Sequence, residues 1–280
     1  MDNRICLITG ATDGVGKATA QALAHKGFHL VLLARNPAKA ARVRDEIQST
    51  SAAPVDVIVG DLSRLADVAR IAETFTAAHP RLDVLINNAG VMLGQRQITD
   101  DGLEATWQIN YLSAFLLTQL LLGRLNESGN GRIINLSSSV YSIGKLGPDG
   151  QPSQSRYSAI GSYAASKLAI LLFTVELAAR LQGTSVTANA VHPGVVRTQM
   201  LENAEGLFKL IALFASPFAI TPEKGAAASV YLASSPDVQA SGRYFAGGKA
   251  VDIKSRFNSP PIRGRLWDAS VGALQHRGLL

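Results

Sequence analysis

The sequence predicts an α/β fold in which helices cover both faces of a doubly wound, seven-stranded parallel sheet. Two observations predict it. Short apolar runs alternate with longer helical stretches along the chain, and 47% of the 280 residues are hydrophobic, which is enough to bury a large core. No internal repeat, heptad run or low-complexity linker interrupts the alternation. We therefore expect residues 1–280 to form a single domain.

The strands are predicted from short apolar runs. They lie at 5–9, 29–34, 56–60, 84–87, 132–136, 186–191 and 244–245. Helical stretches lie between them, for example at 17–26, 105–125 and 163–181. Gly27, Gly129 and Gly183 stand near the ends of such stretches, where glycine acts as a stop signal.

A glycine-rich turn follows the first strand. It reads Gly10-Ala11-Thr12-Asp13-Gly14-Val15-Gly16, and a helix follows it. In this setting glycines let the backbone approach a dinucleotide pyrophosphate, and the helix N-terminus presents free N–H groups to it. The spacing G-x-x-x-G-x-G departs from the commoner G-x-G-x-x-G. The loop alone therefore also fits a turn that needs glycines only for tight packing.

Tyr163 and Lys167 are four residues apart, which places them on one face of a helix. A free tyrosine hydroxyl titrates near pH 10, but a neighbouring positive charge can lower its pKa by roughly one to three units. Tyr163 would then be a usable acid or base at neutral pH. Because this spacing also occurs on ordinary exposed helices, the rest of the chain decides its meaning.

Together these two motifs resemble the classical short-chain dehydrogenase/reductase family. The other landmarks of that family follow in collinear order between residues 4 and 248: Asn87-Asn88-Ala89-Gly90, Asn110, Ser138, and Pro193-Gly194 with Thr198. The resemblance implies a Rossmann fold over 4–248, a substrate lid at 200–219 and a C-terminal extension at 249–280. It also implies that no metal is needed.

The resemblance implies a catalytic tetrad of Asn110, Ser138, Tyr163 and Lys167. Tyr163 would exchange the hydroxyl proton during hydride transfer, and Ser138 would hydrogen-bond the substrate oxygen. Lys167 would lower the pKa of Tyr163 and bind the nicotinamide ribose, and Asn110 would hold a water that relays protons. Simpler roles are open for two of them, because Ser138 could cap a strand end and Asn110 could bond backbone in its helix.

The same resemblance implies the residues that contact the cofactor. They are Gly10, Thr12, Asp13, Gly14, Val15, Gly16, Arg35, Asp61, Leu62, Asn88, Ala89, Gly90, Tyr163, Lys167, Pro193, Gly194, Val196 and Thr198.

Cofactor choice depends on the end of the second strand, where an acid would favour NAD by bonding the ribose 2′-hydroxyl. Here the sequence has Arg35, with Lys39 one turn beyond, and a guanidinium suits the extra phosphate of NADP. We therefore predict NADP(H), with NAD(H) as the disfavoured alternative. Asp13, where many NADP-preferring relatives have a base, argues slightly the other way. Asp61 matches the position that usually contacts the adenine.

Within the family, the chain is most similar to the retinol dehydrogenase-like branch, which acts on retinoids and other apolar aldehydes and alcohols. The strings that carry this are Leu85-Ile86-Asn87-Asn88-Ala89-Gly90-Val91-Met92, Phe115-Leu116-Leu117-Thr118, Val191-His192-Pro193-Gly194-Val195-Val196-Arg197 and Arg265-Leu266-Trp267. The expected substrate is a small apolar carbonyl compound or alcohol. The apolar run 207–214 in the predicted lid fits such a ligand, and fits equally a helix packed on the core.

Composition bounds the partners. The net charge of +6 is spread along the chain and the aromatic content is only 6%, which argues against nucleic-acid binding. The excess of basic residues from Lys249 onward is expected to be a solvated tail, with weak attraction to anionic lipid as the alternative. The lone Cys6 lies in an apolar strand, which indicates a core residue and a reducing compartment.

The predicted location is the cytoplasm, because only four residues precede the first strand and leave no room for a signal peptide or membrane helix. A homodimer or homotetramer is expected, formed through apolar outer faces of helices 105–125 and 163–181. His192, Trp107 and Trp267 are interpreted as structural.

Two competing functions stay open. The first is a non-catalytic sensor that binds NADP and reports redox state, although a sensor has no physical need for the tetrad. The second is a reductase of steroid-like or polyketide ketones. The sequence cannot separate it from an enzyme of apolar aldehydes and alcohols, because loops shape the substrate pocket.

Overall fold

The computed structural model describes residues 4–152, 157–196 and 219–280. Its centre is an eight-stranded sheet with the order β3-β2-β1-β4-β5-β6-β7-β8. The strands are β1 (Ile5–Thr9), β2 (His29–Ala34), β3 (Val55–Val59), β4 (Val84–Asn87), β5 (Arg132–Leu136), β6 (Thr187–His192), β7 (Tyr244–Ala246) and β8 (Lys249–Val251). The first seven are parallel, which confirms the predicted α/β fold.

The eighth strand corrects the prediction of seven. β8 runs antiparallel to β7, with Tyr244 opposite Val251 and Ala246 opposite Lys249. Gly247 and Gly248 form the two-residue connection, and both have positive φ, 58° and 77°. A Gly-Gly pair is a signal for a tight hairpin. The sequence pattern does not indicate this strand, because it is three exposed residues long and has no apolar alternation.

Helices cover both faces of the sheet. They are α1 (Gly14–Ala24), α2 (Pro37–Thr50), α3 (Leu65–Ala78), α4 (Ala105–Trp107), α5 (Ser113–Glu127), α6 (Ala159–Arg180), α7 (Pro222–Ser234) and α8 (Pro260–Gln275). One core lies between the sheet and α3, α5, α6 and α8. The other core lies between the sheet and α1, α2 and α7.

The strand order reverses beside β1, because the chain crosses from β3 to β4 on the far side of β1. In open sheets of this kind, ligands bind in the crevice outside the carboxyl ends of the strands at such a reversal. The glycine-rich turn leaves β1 at this point. The topology alone therefore places the predicted cofactor loop in a crevice.

The predicted solvated tail is wrong, because the C-terminal residues form a packed helix. In α8, Leu266 and Leu274 are buried, and the Ser270 hydroxyl lies 2.6 Å from the buried Tyr111 hydroxyl. Trp267 packs its ring on Phe115 at 5.0 Å between centroids. A helix with apolar residues on one face buries that face wherever a partner is present.

This packing also changes the expectation for oligomerisation. Among the described residues, no large hydrophobic side chain on α5 or α6 is fully exposed, although Leu120 and Leu122 on α5 are only partly buried. The guanidinium of Arg180 lies 4.1 Å above the Trp267 ring, and Arg263 pairs with Glu176 at 3.4 Å. α8 thus covers surface of α6 that the prediction assigned to a second subunit.

Within the described ranges, α6 is a helix long and apolar enough to span a membrane, and 67% of its most apolar window is buried in the fold. Here it serves as a core helix. It begins at Ala159, before the predicted start, because the Ser158 side chain caps it by accepting a hydrogen bond from the Gly161 N–H at 3.3 Å.

Candidate active site

A cavity of about 560 Å³ lies at the carboxyl ends of the strands. Most of the predicted site residues line it. They are Gly10, Thr12, Asp13, Gly14, Val15, Gly16, Arg35, Asp61, Leu62, Asn88, Ala89, Gly90, Ser138, Tyr163, Lys167, Pro193, Gly194 and Val196. Asn110 lies behind the wall, as described below. Thr198 and almost all of the predicted lid at 200–219 fall outside the described residues.

The glycine loop is held from the side by the end of β4. The Thr9 hydroxyl oxygen accepts hydrogen bonds from the N–H groups of Asn88 and Ala89, both at 2.9 Å. The Asn88 amide in turn donates to the carbonyls of Thr9 and Gly10, at 2.9 and 3.1 Å. Asn88 therefore positions the loop in addition to lining the cavity.

Two glycines of the loop meet strict steric limits. Gly10 has a φ of 65°, which side chains rarely adopt. A Cβ on Gly16 would lie 2.2 Å from the Gly10 carbonyl oxygen and 2.4 Å from the Asn88 amide nitrogen. The tight-packing explanation thus accounts for Gly16. Tight packing and cofactor binding can both explain this loop, because Gly14 and Val15 of the same loop line the cavity.

Asp13 is the N-cap of α1, and its carboxylate accepts a hydrogen bond from the Gly14 N–H at 2.7 Å. A carboxylate at a helix N-terminus is favoured by the helix dipole as well as by this bond. The helix start therefore explains an acidic residue at this place without reference to the cofactor.

Lys167 is almost fully buried, at 4% exposure. Its ammonium donates a hydrogen bond to the Leu136 carbonyl at 2.8 Å and lies 5.5 Å from the centre of the Tyr163 ring. Burial lowers the pKa of Lys167 to about 8, because desolvation disfavours the charged form. Near neutral pH the amine is therefore mostly charged but can release a proton readily.

Tyr163 departs from the expectation. Desolvation raises its pKa to about 12, and a hydrogen bond with Ser138 offsets only part of this effect. The predicted lowering by Lys167 does not outweigh this burial, because Lys167 is itself desolvated and its ammonium also bonds the Leu136 carbonyl. Tyr163 is thus held as a neutral hydroxyl, which suits it to donate a proton.

Ser138 stands between the end of β5 and a 3₁₀ turn at Ser139–Ile143. Its hydroxyl oxygen accepts a long hydrogen bond from the Val140 N–H at 3.4 Å, so it does cap a local turn. The same hydroxyl is the hydrogen-bond partner of Tyr163. Both the simple and the catalytic interpretation of Ser138 are therefore compatible with its surroundings.

Asn110 lies in a π-helical turn, Gln108–Leu112, between α4 and α5. Its amide oxygen accepts from the Val91 N–H at 2.7 Å, and its amide nitrogen donates to the Val91 carbonyl at 2.9 Å and the Ser166 hydroxyl at 3.0 Å. Such turns often occur at functional sites. Asn110 therefore supports the cavity wall through hydrogen bonds to residues outside its own helix, and not through a bond to backbone within that helix.

Arg35 is exposed at the end of β2 and reaches the cavity wall, and Lys39 is exposed one turn into α2. Asp61 also lines the wall, where its carboxylate accepts from the Ser63 N–H at 2.9 Å. This end of the cavity therefore carries the Arg35 cation beside the Asp61 carboxylate, and Lys39 stands outside the lining in the first turn of α2.

Some lining residues were missed. Met92, Val140, Ile160 and Val195 add apolar wall, and His192 lies at the end of β6. The His192 ring accepts a hydrogen bond from the Ser139 N–H at 3.4 Å, and burial lowers its pKa. The prediction treated His192 as purely structural. Its place at the carboxyl end of a strand was the signal that could have put it in the site.

The sequence profile of the family described as short chain dehydrogenase matches residues 4–206. Retinol dehydrogenase 12 of Mus musculus is 42% identical over 273 residues, which are 97% of this chain and 86% of that protein. Polyprenol dehydrogenase of Homo sapiens is 37% identical over 277 residues, which are 96% of this chain and 84% of that protein.

A solved structure of the Pseudomonas aeruginosa RhlG/NADP active-site complex superposes with a TM-score of 0.70 at 27% identity, over 88% of this chain and 95% of that one. The chain therefore belongs to the short-chain dehydrogenase family, as a retinol dehydrogenase-like oxidoreductase that acts on an alcohol or carbonyl group.

Proposed function

We propose that the protein is an NADP(H)-dependent oxidoreductase that interconverts an apolar alcohol and its aldehyde or ketone, with Tyr163 as acid and base. The observation that carries the proposal is the single cavity. It joins the glycine loop, the basic end of β2 and the Ser138, Tyr163 and Lys167 side chains in about 560 Å³.

The shape of the wall fits a dinucleotide. Gly10, Gly14 and Gly16 line the cavity without side chains, and the start of α1 borders it. Backbone N–H groups at a helix start are suited to a pyrophosphate. The other predicted contacts within the described residues line the same wall, from Arg35 to Val196. A bound nicotinamide would supply or accept the hydride.

The chain's own groups would handle the proton. In carbonyl reduction the Tyr163 hydroxyl donates its proton to the substrate oxygen, and Ser138 hydrogen-bonds that oxygen as negative charge develops on it. Since burial keeps Tyr163 protonated at neutral pH, this direction needs no prior proton loss. The Lys167 ammonium then stabilises the tyrosinate until a proton returns.

The preference for NADP(H) is supported by Arg35, whose charge would attract a 2′-phosphate at the exposed end of the cavity, and by the exposed Lys39 in the first turn of the following helix. Asp13 was an argument against NADP(H), but its role as the N-cap of α1 explains an acid at this position without reference to the cofactor. RhlG, a relative with the same fold, is complexed with NADP.

The apolar substrate is supported by apolar side chains that share the cavity with Tyr163. Met92, Val140 and Ile160 line the cavity. Two proteins similar to this chain are named as a retinol dehydrogenase and a polyprenol dehydrogenase. Apolar walls with a few placed polar groups are typical of sites for small hydrophobic ligands. We keep the cytoplasm as the proposed location and a homodimer or homotetramer as the proposed assembly, to be measured by fractionation and by light scattering.

The test is oxidation of NADPH, and separately of NADH, against apolar aldehydes including retinal, and against steroid-like and polyketide-like ketones. We expect turnover with NADPH and aldehydes, and a loss of about a hundredfold or more in Tyr163→Phe with NADPH binding kept. Tyr231→Phe is the matched control, because Tyr231 is an exposed tyrosine on α7, away from the cavity wall.

The alternatives predict different outcomes. A redox sensor would bind NADPH with no turnover on any substrate, and Tyr163→Phe would leave its binding unchanged. A ketone reductase would prefer the steroid-like or polyketide-like compounds. Full activity in Tyr163→Phe would reject the proposed role of Tyr163.

A further inference from the structure

Two histidines and an aspartate from three elements meet at the amino-terminal edge of the sheet. His29 is the first residue of β2, Asp56 lies near the start of β3, and His79 directly follows α3 as its C-cap. The active-site cavity lies where the strands end, at the opposite edge, and none of the three residues lines it. The group is therefore separate from the chemistry described above.

The possible ligand atoms of the three side chains lie close together. The Asp56 carboxylate oxygen Oδ2 lies 2.7 Å from Nε2 of His29 and 3.6 Å from Nε2 of His79, and the ligand atoms of all three lie within 4.8 Å of one another. A tetrahedral Zn²⁺ with bonds of about 2.0–2.1 Å separates its donors by about 3.3 Å. The observed separations bracket this value, so small side-chain rotations would complete the geometry.

The site is largely preformed. The backbone N–H of His29 bonds the Arg4 carbonyl at 3.0 Å, and that of His79 bonds the Phe75 carbonyl at 2.9 Å, so both ligands have fixed attachments. The His79 ring packs on Phe75 at 4.7 Å and meets the His29 ring edge to face at 5.3 Å. Restricted ring motion reduces the entropy lost when a ligand binds.

One side of the group is open to solvent. Asp56 is half exposed, with a side-chain accessibility of 53%, so water can fill a fourth position.

We propose that His29, Asp56 and His79 bind a divalent transition-metal cation of the Zn²⁺ type, with water as the fourth ligand, as a structural link between β2, β3 and the end of α3. Two imidazoles and one carboxylate are donors that suit Zn²⁺ better than Ca²⁺ or Mg²⁺. The sequence did not reveal the site, because its three residues are far apart along the chain.

The test uses the full, tag-free chain after treatment with EDTA and buffer exchange. Zn²⁺ titrated into it by calorimetry is expected to bind at one site per chain. At a hundredfold excess over its Kd, Zn²⁺ should raise the Tm by about 5 °C, because it binds the folded state alone. Mg²⁺ at the same concentration should have no such effect.

Variants assign the binding to these residues. His79→Gln and Asp56→Asn should each weaken Zn²⁺ binding about tenfold or more, whereas His276→Gln, at an exposed histidine, should leave it unchanged. Should one variant fail to fold, His29→Gln supplies the same comparison. The proposal is overturned if native protein shows no Zn²⁺ heat and no Tm change, or if folded variants keep native affinity.

Discussion

Replacing Lys167 by methionine is expected to reduce turnover about a hundredfold or more and, at pH 7, to make the folded protein more stable. Burial lowers the pKa of Lys167 from 10.5 to about 8, and the group is surrounded by protein. One pKa unit corresponds to about 1.4 kcal/mol, so keeping this amine charged costs the folded state about 3 kcal/mol at pH 7.

Methionine fills a similar volume without a charge, but it loses the hydrogen bond from the charged ammonium to the Leu136 carbonyl, worth about 2 kcal/mol. The net gain in the free energy of unfolding is therefore about 1 kcal/mol, or about 2–3 °C in Tm for a chain of this size. Thermal unfolding followed by circular dichroism measures it. Lys26→Met, at an exposed lysine, is the control and should change neither stability nor turnover.

The pH dependence gives the reasoning a second test. Because the folded-state pKa lies below the unfolded value, the cost is complete below about pH 8 and disappears as pH rises toward 10.5. The advantage of Lys167→Met over the native chain should therefore shrink between pH 7 and pH 9.5. A folded Lys167→Met protein that is less stable than native at pH 7, or whose advantage does not change with pH, would refute this account of the buried charge.

Other consequences can be measured with single variants. Arg35→Ser should raise the KM for NADPH at least several-fold and leave that for NADH nearly unchanged, whereas the exposed Arg42→Ser should affect neither. Gly16→Ala should lower stability by about 1–3 kcal/mol and weaken NADPH binding in fluorescence titrations, because its Cβ would meet the Gly10 carbonyl at 2.2 Å. Asn110→Ala should lower the free energy of unfolding, measured by urea titration, by about 1–3 kcal/mol, since the Val91 N–H and carbonyl lose their partners. In pH–rate profiles, kcat/KM for carbonyl reduction should fall above about pH 8, where Lys167 loses the charge that stabilises the tyrosinate.

The strands were predictable to within a residue in most cases because parallel strands buried on both faces read as apolar runs. β1, β2, β4 and β5 begin and end where they were predicted. β8 has no such pattern, since all three of its residues are exposed. Its only sequence signal is the Gly247-Gly248 turn, which is a local feature that hydrophobic periodicity does not detect.

The membership of the site was easier to predict than its electrostatics. Motif residues such as Gly10 and Tyr163 carry their own spacing along the chain, and they line one cavity. The pKa of Tyr163 depends on how much protein surrounds its hydroxyl, which only the packed structure shows. The charge of Lys167 was correctly placed beside Tyr163, but its own desolvation was not foreseen.

The fate of the C-terminal segment could not be read from its charge. Its basic residues suggested solvent, whereas Leu266, Trp267 and Leu274 supply an apolar face that packs onto the molecule. Whether an amphipathic helix docks depends on a complementary surface elsewhere in the chain. Here that surface is made by Tyr111, Phe115 and the side of α6.

The docked α8 also bears on how the protein is made. The chain is synthesised from its N-terminus, so the strands and the glycine loop leave the ribosome well before residues 260–275. Until residues 260–275 emerge, Tyr111 lacks Ser270 and the Phe115 ring lacks Trp267. A nascent chain thus displays an uncovered aromatic surface until this segment has been synthesised, and a ribosome stalled before that point would hold the protein in that state.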